Sequence, residues 1–200
     1  MPRVLITAFG PYAPWEENAS WRALVELTRN LPQSPRVTTR LYPVDFEVVR
    51  KRLTEDLRGG FDTVLHLGQA PGASSIQLEA IGINAKATAV TDTHQPRPLI
   101  PGGPVAYQSA LPLGHWAGLL RAAGIPARVS YHAGTSLCNA TLFLTHHLCQ
   151  CNEWRTGATL IHLPLAGDQV FACEQELPSM PTTVVADAIQ TLLKQLASDA

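Results

Sequence analysis

Three separate apolar segments hold a cysteine, a histidine and a glutamate, the side-chain types of a nucleophile, a base and an orienting acid. Cys138 lies in AGTSLCN, His162 lies late in ATLIHLPLA, and Glu79 lies in IQLEAIGIN. A thiolate attacks an acyl carbonyl when a base accepts its proton and a third group orients that base. A carboxylate in a run as apolar as that around Glu79 needs a partner. The chain therefore contains the components of cysteine-based acyl transfer.

The segment THHLCQC supports a different interpretation, a zinc site. His147 and Cys151 are four residues apart, and His146 and Cys149 are three apart, so each pair would share a helix face. Histidine and cysteine are zinc ligands, but the two pairs point to different faces. A tetrahedral site would need a ligand from elsewhere, such as Cys173. A further alternative is that these cysteines are packed in a core, the histidines are partly exposed, and Cys138, His162 and Glu79 are structural.

Composition limits the class of protein. The 200 residues fit one domain, 1–200, with 46% hydrophobic and 16% charged residues. The usual charged fraction is ~25%, so we expect part of the surface to be covered in a homo-oligomer. The net charge of -1 and the lack of a basic run argue against a nucleic-acid partner.

Compartment is predicted from the apolar runs and the cysteines. The N-terminal apolar run is too short for a signal peptide, and no run approaches the ~18 residues of a membrane span. We therefore expect a cytoplasmic protein that binds no membrane. In a reducing compartment its four cysteines are expected to be buried, catalytic or metal-binding rather than paired.

Strand and helix patterns alternate along the chain. Predicted strands are RVLITAF, RVTTRLYPV, FDTVLHLG, IQLEAIGIN, ARVSYHAG and ATLIHLPLA. Predicted helices are SWRALVELTRNL with Ser20 as its cap, FEVVRKRLTEDLRGG, LPLGHWAGLLRAAG, LCNATLFLTHHLCQC and TTVVADAIQTLLKQLAS. Such alternation predicts an α/β fold with a mainly parallel sheet between two helix layers. Residues 85–103 have no period, and we predict a long irregular segment that closes over a ligand.

In such folds sites form at the carboxyl ends of strands. Phe9, Gln69, Cys138 and His162 follow or end four predicted strands, so we expect them at one edge of the sheet. Cys138 would also sit where a helix begins, and the unpaired N–H groups there favour a thiolate and can bind an oxyanion. No GxGxxG or GxxxxGK[ST] loop follows a strand, so no nucleotide cofactor is predicted.

Four segments resemble the signatures of the pyroglutamyl peptidase I family of cysteine peptidases. HLGQAPGASSIQLEAIGIN, YHAGTSLCN and IHLPLAGDQ resemble the segments that hold its catalytic glutamate, cysteine and histidine, which fall on Glu79, Cys138 and His162. ITAFGPYAPWEENASW resembles its N-terminal TGF-x-PF signature followed by N-x-S. The matching positions there are Thr7, Phe9, Pro11, Asn18 and Ser20, with Tyr12 in the second aromatic position.

The resemblance implies a three-layer, single-domain fold and removal of an N-terminal pyroglutamyl group through a thioester, without a metal or cofactor. It implies that Phe9 and Tyr12 sandwich the lactam ring, that Gln69 lies beside the lactam, and that Leu137 also lines the pocket. Family members commonly form tetramers, so a homo-oligomer, a tetramer or a dimer, is expected.

Two departures from the family pattern stand out. Ala89 replaces a family arginine, whose charge Lys86 or Arg97 would have to supply, and Ser136 replaces an aromatic residue two positions before the cysteine. A looser pocket leaves two alternatives to a pyroglutamyl peptidase. One is a related cysteine amidase with another N-terminal acyl specificity, and the other is a non-catalytic binding protein.

Overall fold

A computed structural model describes residues 1–87, 97–171 and 176–199. Its strands are β1 (Arg3–Phe9), β2 (Arg36–Tyr42), β3 (Thr63–Gln69), β4 (Ile76–Glu79), β5 (Ile81–Ile83), β6 (Ala106–Gln108), β7 (Ala127–Ser130) and β8 (Gly157–Leu163). Its helices are α1 (Ala19–Thr28), α2 (Phe46–Leu57), α3 (Leu113–Ala122), α4 (Leu137–Cys151), α5 (Gly167–Phe171) and α6 (Thr182–Ser198). None of the helices in these ranges is long and apolar enough to cross a membrane.

One six-stranded sheet, in the order β2-β1-β3-β8-β4-β7, forms the middle layer. Strands β2, β1, β3 and β8 run parallel, whereas β4 runs antiparallel to β8 and parallel to β7. Strands β5 and β6 form a separate antiparallel pair. The predicted α/β fold, with a mainly parallel mixed sheet flanked by helices, is confirmed.

Each face of the sheet is covered by its own apolar cluster. Helices α1, α3 and α6 pack on one face through residues such as Leu24, Trp116 and Leu192. Helices α2 and α4 pack on the other face through residues such as Leu53 and Phe143. These clusters are buried because the strands are apolar on both sides, which is typical of a sheet enclosed by helices.

His66 is a polar residue in the middle of this core. It is fully buried on β3, and its ring nitrogens contact Thr7 Oγ1 at 2.7 Å and Thr145 Oγ1 at 2.8 Å. Burial, and secondarily the nearby His146, lowers the pKa of His66 from 6.5 to about 3. The ring is therefore neutral in the folded protein across the physiological pH range.

Acid is expected to destabilise the fold through His66. Below pH 6.5 the unfolded chain binds a proton there that the folded protein excludes until about pH 3. The free energy of unfolding should fall in that window by about 1.4 kcal/mol per pH unit from this residue. A His66→Gln variant, which cannot titrate, should show a shallower fall in urea unfolding between pH 6.5 and 4. The exposed His115→Gln variant is the control, and equal slopes in wild type and His66→Gln would contradict the account.

The predicted elements differ from the structure in four places. Asn18, not Ser20, is the N-cap of α1, because its side chain accepts a hydrogen bond from the Ser20 N–H. The predicted strand IQLEAIGIN divides into β4 and β5, because the chain leaves the main sheet after Glu79. Helix α5 and strand β6 were not predicted. Of the irregular segment 85–103, residues 88–96, which include Ala89, lie outside the described residues; beside them Lys86 and Arg97 form an antiparallel bridge.

Candidate active site

Strand alternation places three of the relevant residues on the face of the sheet that α4 covers. Gly68 of β3 pairs with His162 of β8, which in turn pairs with Gln77 of β4. Directly paired residues point to the same face, and so does a residue two positions along a strand. Glu79 therefore lies on the same face as His162, two positions away across the β4–β8 pair.

Glu79 and His162 form a buried pair. Glu79 Oε1 lies 2.8 Å from His162 Nδ1, and the glutamate side chain is fully buried while that of the histidine is 13% exposed. Among the described residues the other carboxylate oxygen, Oε2, has no hydrogen-bond partner, so His162 alone compensates the charge. Glu79 is the last residue of β4, but because β4 runs antiparallel to β8 it lies opposite Leu160 rather than at the carboxyl end of β8. Glu79 contacts the histidine from deeper in the sheet.

Cys138 is the second residue of α4, as the pattern of the sequence predicted. The N-cap, Ser136, makes no side-chain capping bond, so the first N–H groups of the helix are not capped by any described side chain. The turn before the helix requires Gly134, whose φ is +79°, a conformation that residues with a Cβ rarely adopt. The half-buried Cys138 therefore lies at the positive end of the α4 dipole.

The environment of His162 favours the imidazolium. Burial opposes the charge, but interaction with the Cys138 sulfur and then with Glu79 outweighs burial and raises the pKa of His162 to about 10. His162 therefore holds a proton at neutral pH. A protonated imidazole beside a cysteine can act as an acid toward a departing group.

Gly68 brings the cysteine and the histidine close to the strand backbone. A Cβ atom on Gly68 would lie 2.9 Å from Cys138 Sγ, 3.2 Å from His162 Cδ2 and 3.6 Å from His162 Nε2. Real Cβ atoms essentially never approach other atoms as closely as 2.9 Å. The two reactive side chains therefore occupy the space that any other residue at position 68 would fill.

The Gly68→Ala variant should lose activity without losing its fold. The added methyl group has to displace the sulfur or the imidazole, and a displacement near 1 Å costs about 100-fold in kcat/KM. Gly114→Ala in α3 is the matched control, because a Cβ there meets nothing within 4 Å. Both variants should melt near the wild-type temperature. Wild-type kcat/KM in Gly68→Ala would contradict this geometry.

Asn139, directly after the cysteine, anchors α4 to β5, a role that analysis of the sequence did not assign. Its buried amide accepts from the Ile83 N–H at 2.8 Å and donates to the carbonyl oxygens of Ile83 at 2.9 Å and Ala85 at 3.0 Å. Gly82 allows this approach, because its Cβ would lie 2.8 Å from the Phe143 nitrogen. Three bonds from one buried side chain fix the start of the helix that carries Cys138.

The loop after β1 is held by Asn18 and Ser20. Asn18 Nδ2 donates to the Gly10 carbonyl oxygen at 3.0 Å, and Ser20 Oγ accepts from the Phe9 N–H at 3.1 Å. Phe9 and Leu137 are buried in the same apolar cluster, and Cys138 packs against that cluster. Tyr12 is half-buried in this loop. Of the predicted pocket residues, Phe9 thus shares a cluster with Leu137, the first residue of α4, and Tyr12 lies in the loop after β1, whereas Ser136 is exposed.

Gln69 is buried, and its side-chain amide forms hydrogen bonds to other residues of the protein. Its Oε1 accepts from the Ala19 N–H at 2.6 Å and from Gln169 Nε2 at 2.9 Å, and its Nε2 donates to the Tyr12 hydroxyl oxygen at 3.3 Å. Gln169, on the unpredicted helix α5, is thus part of the site's support. Its only signal in the sequence is its place a few residues after His162.

The side chains at the end of α4 do not form the arrangement of ligands that a zinc site needs. His147 Nε2 lies 3.6 Å from Cys151 Sγ, and His147 Nδ1 lies 2.9 Å from the Tyr107 hydroxyl. No group of three or more His, Cys, Asp or Glu side chains is placed to hold a metal ion in ranges 1–87, 97–171 and 176–199. Cys173 lies outside those ranges. Cys149 is buried and Cys151 is exposed, as expected for opposite faces of an ordinary helix packed on a core.

The fold and the Cys–His–Glu arrangement define a cysteine hydrolase of the α/β class. The chain belongs to the pyroglutamyl peptidase family, whose model matches residues 2–198. It is 34% identical to the pyrrolidone-carboxylate peptidase of Streptomyces coelicolor, over 98% of this chain and 93% of that protein. It is 31% identical to the enzyme of the same name from Thermococcus kodakarensis, over 98% and 97%.

Solved structures agree with this assignment. The crystal structure of pyrrolidone carboxyl peptidase from Fervidobacterium islandicum superposes with a TM-score of 0.93 at 30% identity, over 99% of both chains. The pyrrolidone carboxyl peptidase of Thermococcus litoralis superposes with a TM-score of 0.89 at 30% identity, over 100% of this chain and 94% of that one. The predicted family is therefore confirmed along nearly the whole chain.

Proposed function

We propose that this protein removes the N-terminal pyroglutamyl residue from peptides, with Cys138 as nucleophile, His162 as acid and base, and Glu79 as the group that orients His162. The observation that supports the assignment of roles is that Cys138 Sγ and the His162 ring both lie against Gly68, while Glu79 Oε1 lies at hydrogen-bond distance from Nδ1 of the same ring. Membership of the family supports the substrate class.

Acylation begins from the thiolate–imidazolium pair. Cys138 Sγ attacks the pyroglutamyl carbonyl carbon, and the oxygen becomes an oxyanion that the first N–H groups of α4 can stabilise. As the tetrahedral intermediate collapses, the C–N bond breaks and the His162 proton passes to the departing amine. The products are a thioester on Cys138 and the shortened peptide. His162 is left neutral and still bonded to Glu79.

Deacylation uses the same groups in reverse. Neutral His162 takes a proton from water, and the oxygen of that water attacks the thioester carbonyl carbon. The C–S bond then breaks, pyroglutamate leaves, and the thiolate–imidazolium pair is restored. Glu79 keeps the ring in one orientation through both half-reactions, because its bond occupies Nδ1 and leaves Nε2 toward the sulfur.

The pocket for the lactam ring is formed by Phe9, Tyr12 and Leu137. A flat lactam offers two faces for aromatic and aliphatic packing, and its N–H and C=O need polar partners. Ser136 is exposed where the family pattern has an aromatic residue, which leaves one side of the pocket more open. Lys86 Nζ lies over the Phe46 ring, 3.9 Å from its centroid. Because this ammonium group already packs on an aromatic ring, it does not supply the charge of the missing arginine.

The test is hydrolysis of a pyroglutamyl-anilide, with prolyl- and acetyl-anilides in parallel. Selective release from the pyroglutamyl substrate, lost after thiol alkylation, is the expected result. Faster release from another acyl-anilide would favour a cysteine amidase with a different specificity. No release from any of them would favour a binding protein.

Assembly and location follow the same family. We propose that residues 1–200 form one domain that associates as a homo-oligomer, a dimer or a tetramer, in the cytoplasm. Exposed apolar side chains near the start of α2, such as Leu41, Val44 and Val48, support an oligomer interface. Sedimentation or light scattering of the purified protein measures the oligomeric state directly.

A further inference from the structure

A chain of hydrogen bonds that begins at Gln169 fixes the orientation of two amide side chains. The Ala166 N–H can only donate, and it donates to Gln169 Oε1 at 2.8 Å. Gln169 Nε2 therefore lies on the other side of that amide, where it donates to the Glu17 carbonyl oxygen at 2.9 Å. A backbone donor and a backbone acceptor thus agree on the orientation of Gln169.

The same logic fixes Gln69. Its Oε1 accepts from the Ala19 N–H at 2.6 Å, and again a backbone N–H can only donate. Gln169 Nε2 donates to the same oxygen at 2.9 Å. Gln69 Nε2 must therefore be the atom 3.3 Å from the Tyr12 hydroxyl oxygen. An amide nitrogen cannot accept, so the tyrosine oxygen accepts and its proton points away from Gln69.

The Tyr12 proton is left available to a ligand. No described residue accepts a hydrogen bond from this hydroxyl, whose one partner is Gln69 Nε2. Burial raises the pKa of Tyr12, the bond from Gln69 lowers it in part, and the charge of the Cys138 sulfur raises it further. The hydroxyl is therefore protonated at neutral pH and can donate a hydrogen bond. It lies near enough to the Cys138 sulfur for the two groups to interact electrostatically.

We propose that the Tyr12 hydroxyl donates a hydrogen bond to the ring carbonyl oxygen of the bound pyroglutamyl group, and that Gln69 is the positioning residue that directs it. This rests on the proposed function. The scissile carbonyl oxygen can accept hydrogen bonds from the first N–H groups of α4. The ring carbonyl oxygen is the acyl group's other acceptor, and it needs a donor of its own. The signature that this loop resembles has phenylalanine at the position of Tyr12, so the hydroxyl is a feature of this chain.

The Tyr12→Phe variant separates this donor from the packing of the ring. Two substrates are compared, pyroglutamyl-anilide and cyclopentanecarbonyl-anilide, whose neutral five-membered ring lacks the carbonyl. The variant should lose about tenfold in kcat/KM on the first, as expected for one neutral hydrogen bond, and little on the second. The selectivity ratio therefore falls about tenfold. An equal loss on both substrates would indicate a packing role and overturn the proposal.

The Gln69→Glu variant tests the direction of the bond while keeping the tyrosine. It retains an acceptor for Ala19 but replaces the donor with a carboxylate oxygen, which draws the Tyr12 proton toward it. Its selectivity ratio should fall like that of Tyr12→Phe, and the double variant should fall no further. A fall in Gln69→Glu alone would place the donor on Gln69 and overturn the assignment.

A control variant and the wild type distinguish a failure of the Tyr12 inference from a failure of the proposed function. Tyr107→Phe removes a hydroxyl that bonds to His147 on the later part of α4, and its ratio should match that of the wild type. Wild-type protein that does not hydrolyse pyroglutamyl-anilide would contradict the proposed function. An active wild type with an unchanged ratio in Tyr12→Phe would contradict the inference alone.

Discussion

Replacing Cys138 with alanine is expected to reduce pyroglutamyl-anilide hydrolysis to the background rate, a loss on the order of 10⁵-fold or more in kcat. The reason is that the sulfur supplies the bond to the acyl group, and no other described nucleophile lies over Gly68 beside His162. The half-buried position of Cys138 makes the change small for the fold. Steady-state kinetics and a thermal melt measure the two effects separately.

The control for this variant is the exposed Cys151 on the same helix. Cys151→Ala should keep wild-type kinetics, and iodoacetamide should inactivate both it and the wild type. A Cys138→Ala protein that retains more than about a hundredth of wild-type kcat, once contamination is excluded, would remove the cysteine from the mechanism. Mass spectrometry of a rapidly quenched reaction should find the acyl group on Cys138 and on no other cysteine.

The Glu79→Gln variant should lose about 10³- to 10⁴-fold in kcat/KM, the scale seen when the orienting acid of a triad becomes an amide. The amide can leave the ring in the wrong tautomer, because it can donate to Nδ1 instead of accepting from it. It also removes a negative charge 2.8 Å from the ring, one of the interactions that raise the pKa of His162 to about 10.

The pH profile gives this variant a readout that misfolding would not produce. Activity needs the imidazolium, which is present below the pKa of His162 and lost as pH rises through it. Without the Glu79 charge that pKa falls, so the alkaline limb of kcat/KM should move to lower pH. Asp187→Asn, an exposed carboxylate on α6, should leave the limb in place. A limb that does not move in Glu79→Gln would argue against this role for the glutamate.

Local pattern was enough to predict most elements of the fold. RVLITAF, LCNATLFLTHHLCQC and TTVVADAIQTLLKQLAS coincide with β1, α4 and α6, because each has a clear period and a definite end. Strand direction was harder to predict. β4 reverses relative to β8 although nothing in IQLE differs from a parallel strand, since direction depends on which strands become neighbours. The three-residue strand β6 and the five-residue helix α5 are too short to carry a period.

The candidate site was predictable in its residue types but not in its support. Cys138, His162 and Glu79 could be proposed from position and resemblance, and the structure brings them together. Gly68 could not be singled out, because a glycine in a strand reveals its role only when its neighbours in space are known. Asn139 and Gln169 act on backbone groups distant in sequence, and such contacts leave no local pattern. Asn18 was matched by resemblance, yet its capping role was assigned to Ser20.

The alternation of β3 has a consequence for how this enzyme can be redesigned. Gly68 faces the nucleophile, while the next residue, Gln69, faces the other helix layer and reaches Tyr12. With the proposed roles, the nucleophile and its base lie against one face of β3, and the amide that directs the Tyr12 hydroxyl extends from the other face. We therefore expect substitutions at Gln69, Gln169 or the Tyr12 loop to change which acyl group is accepted while Cys138 and His162 stay in place. A route to new substrates thus starts from one face of β3 and leaves the other unchanged.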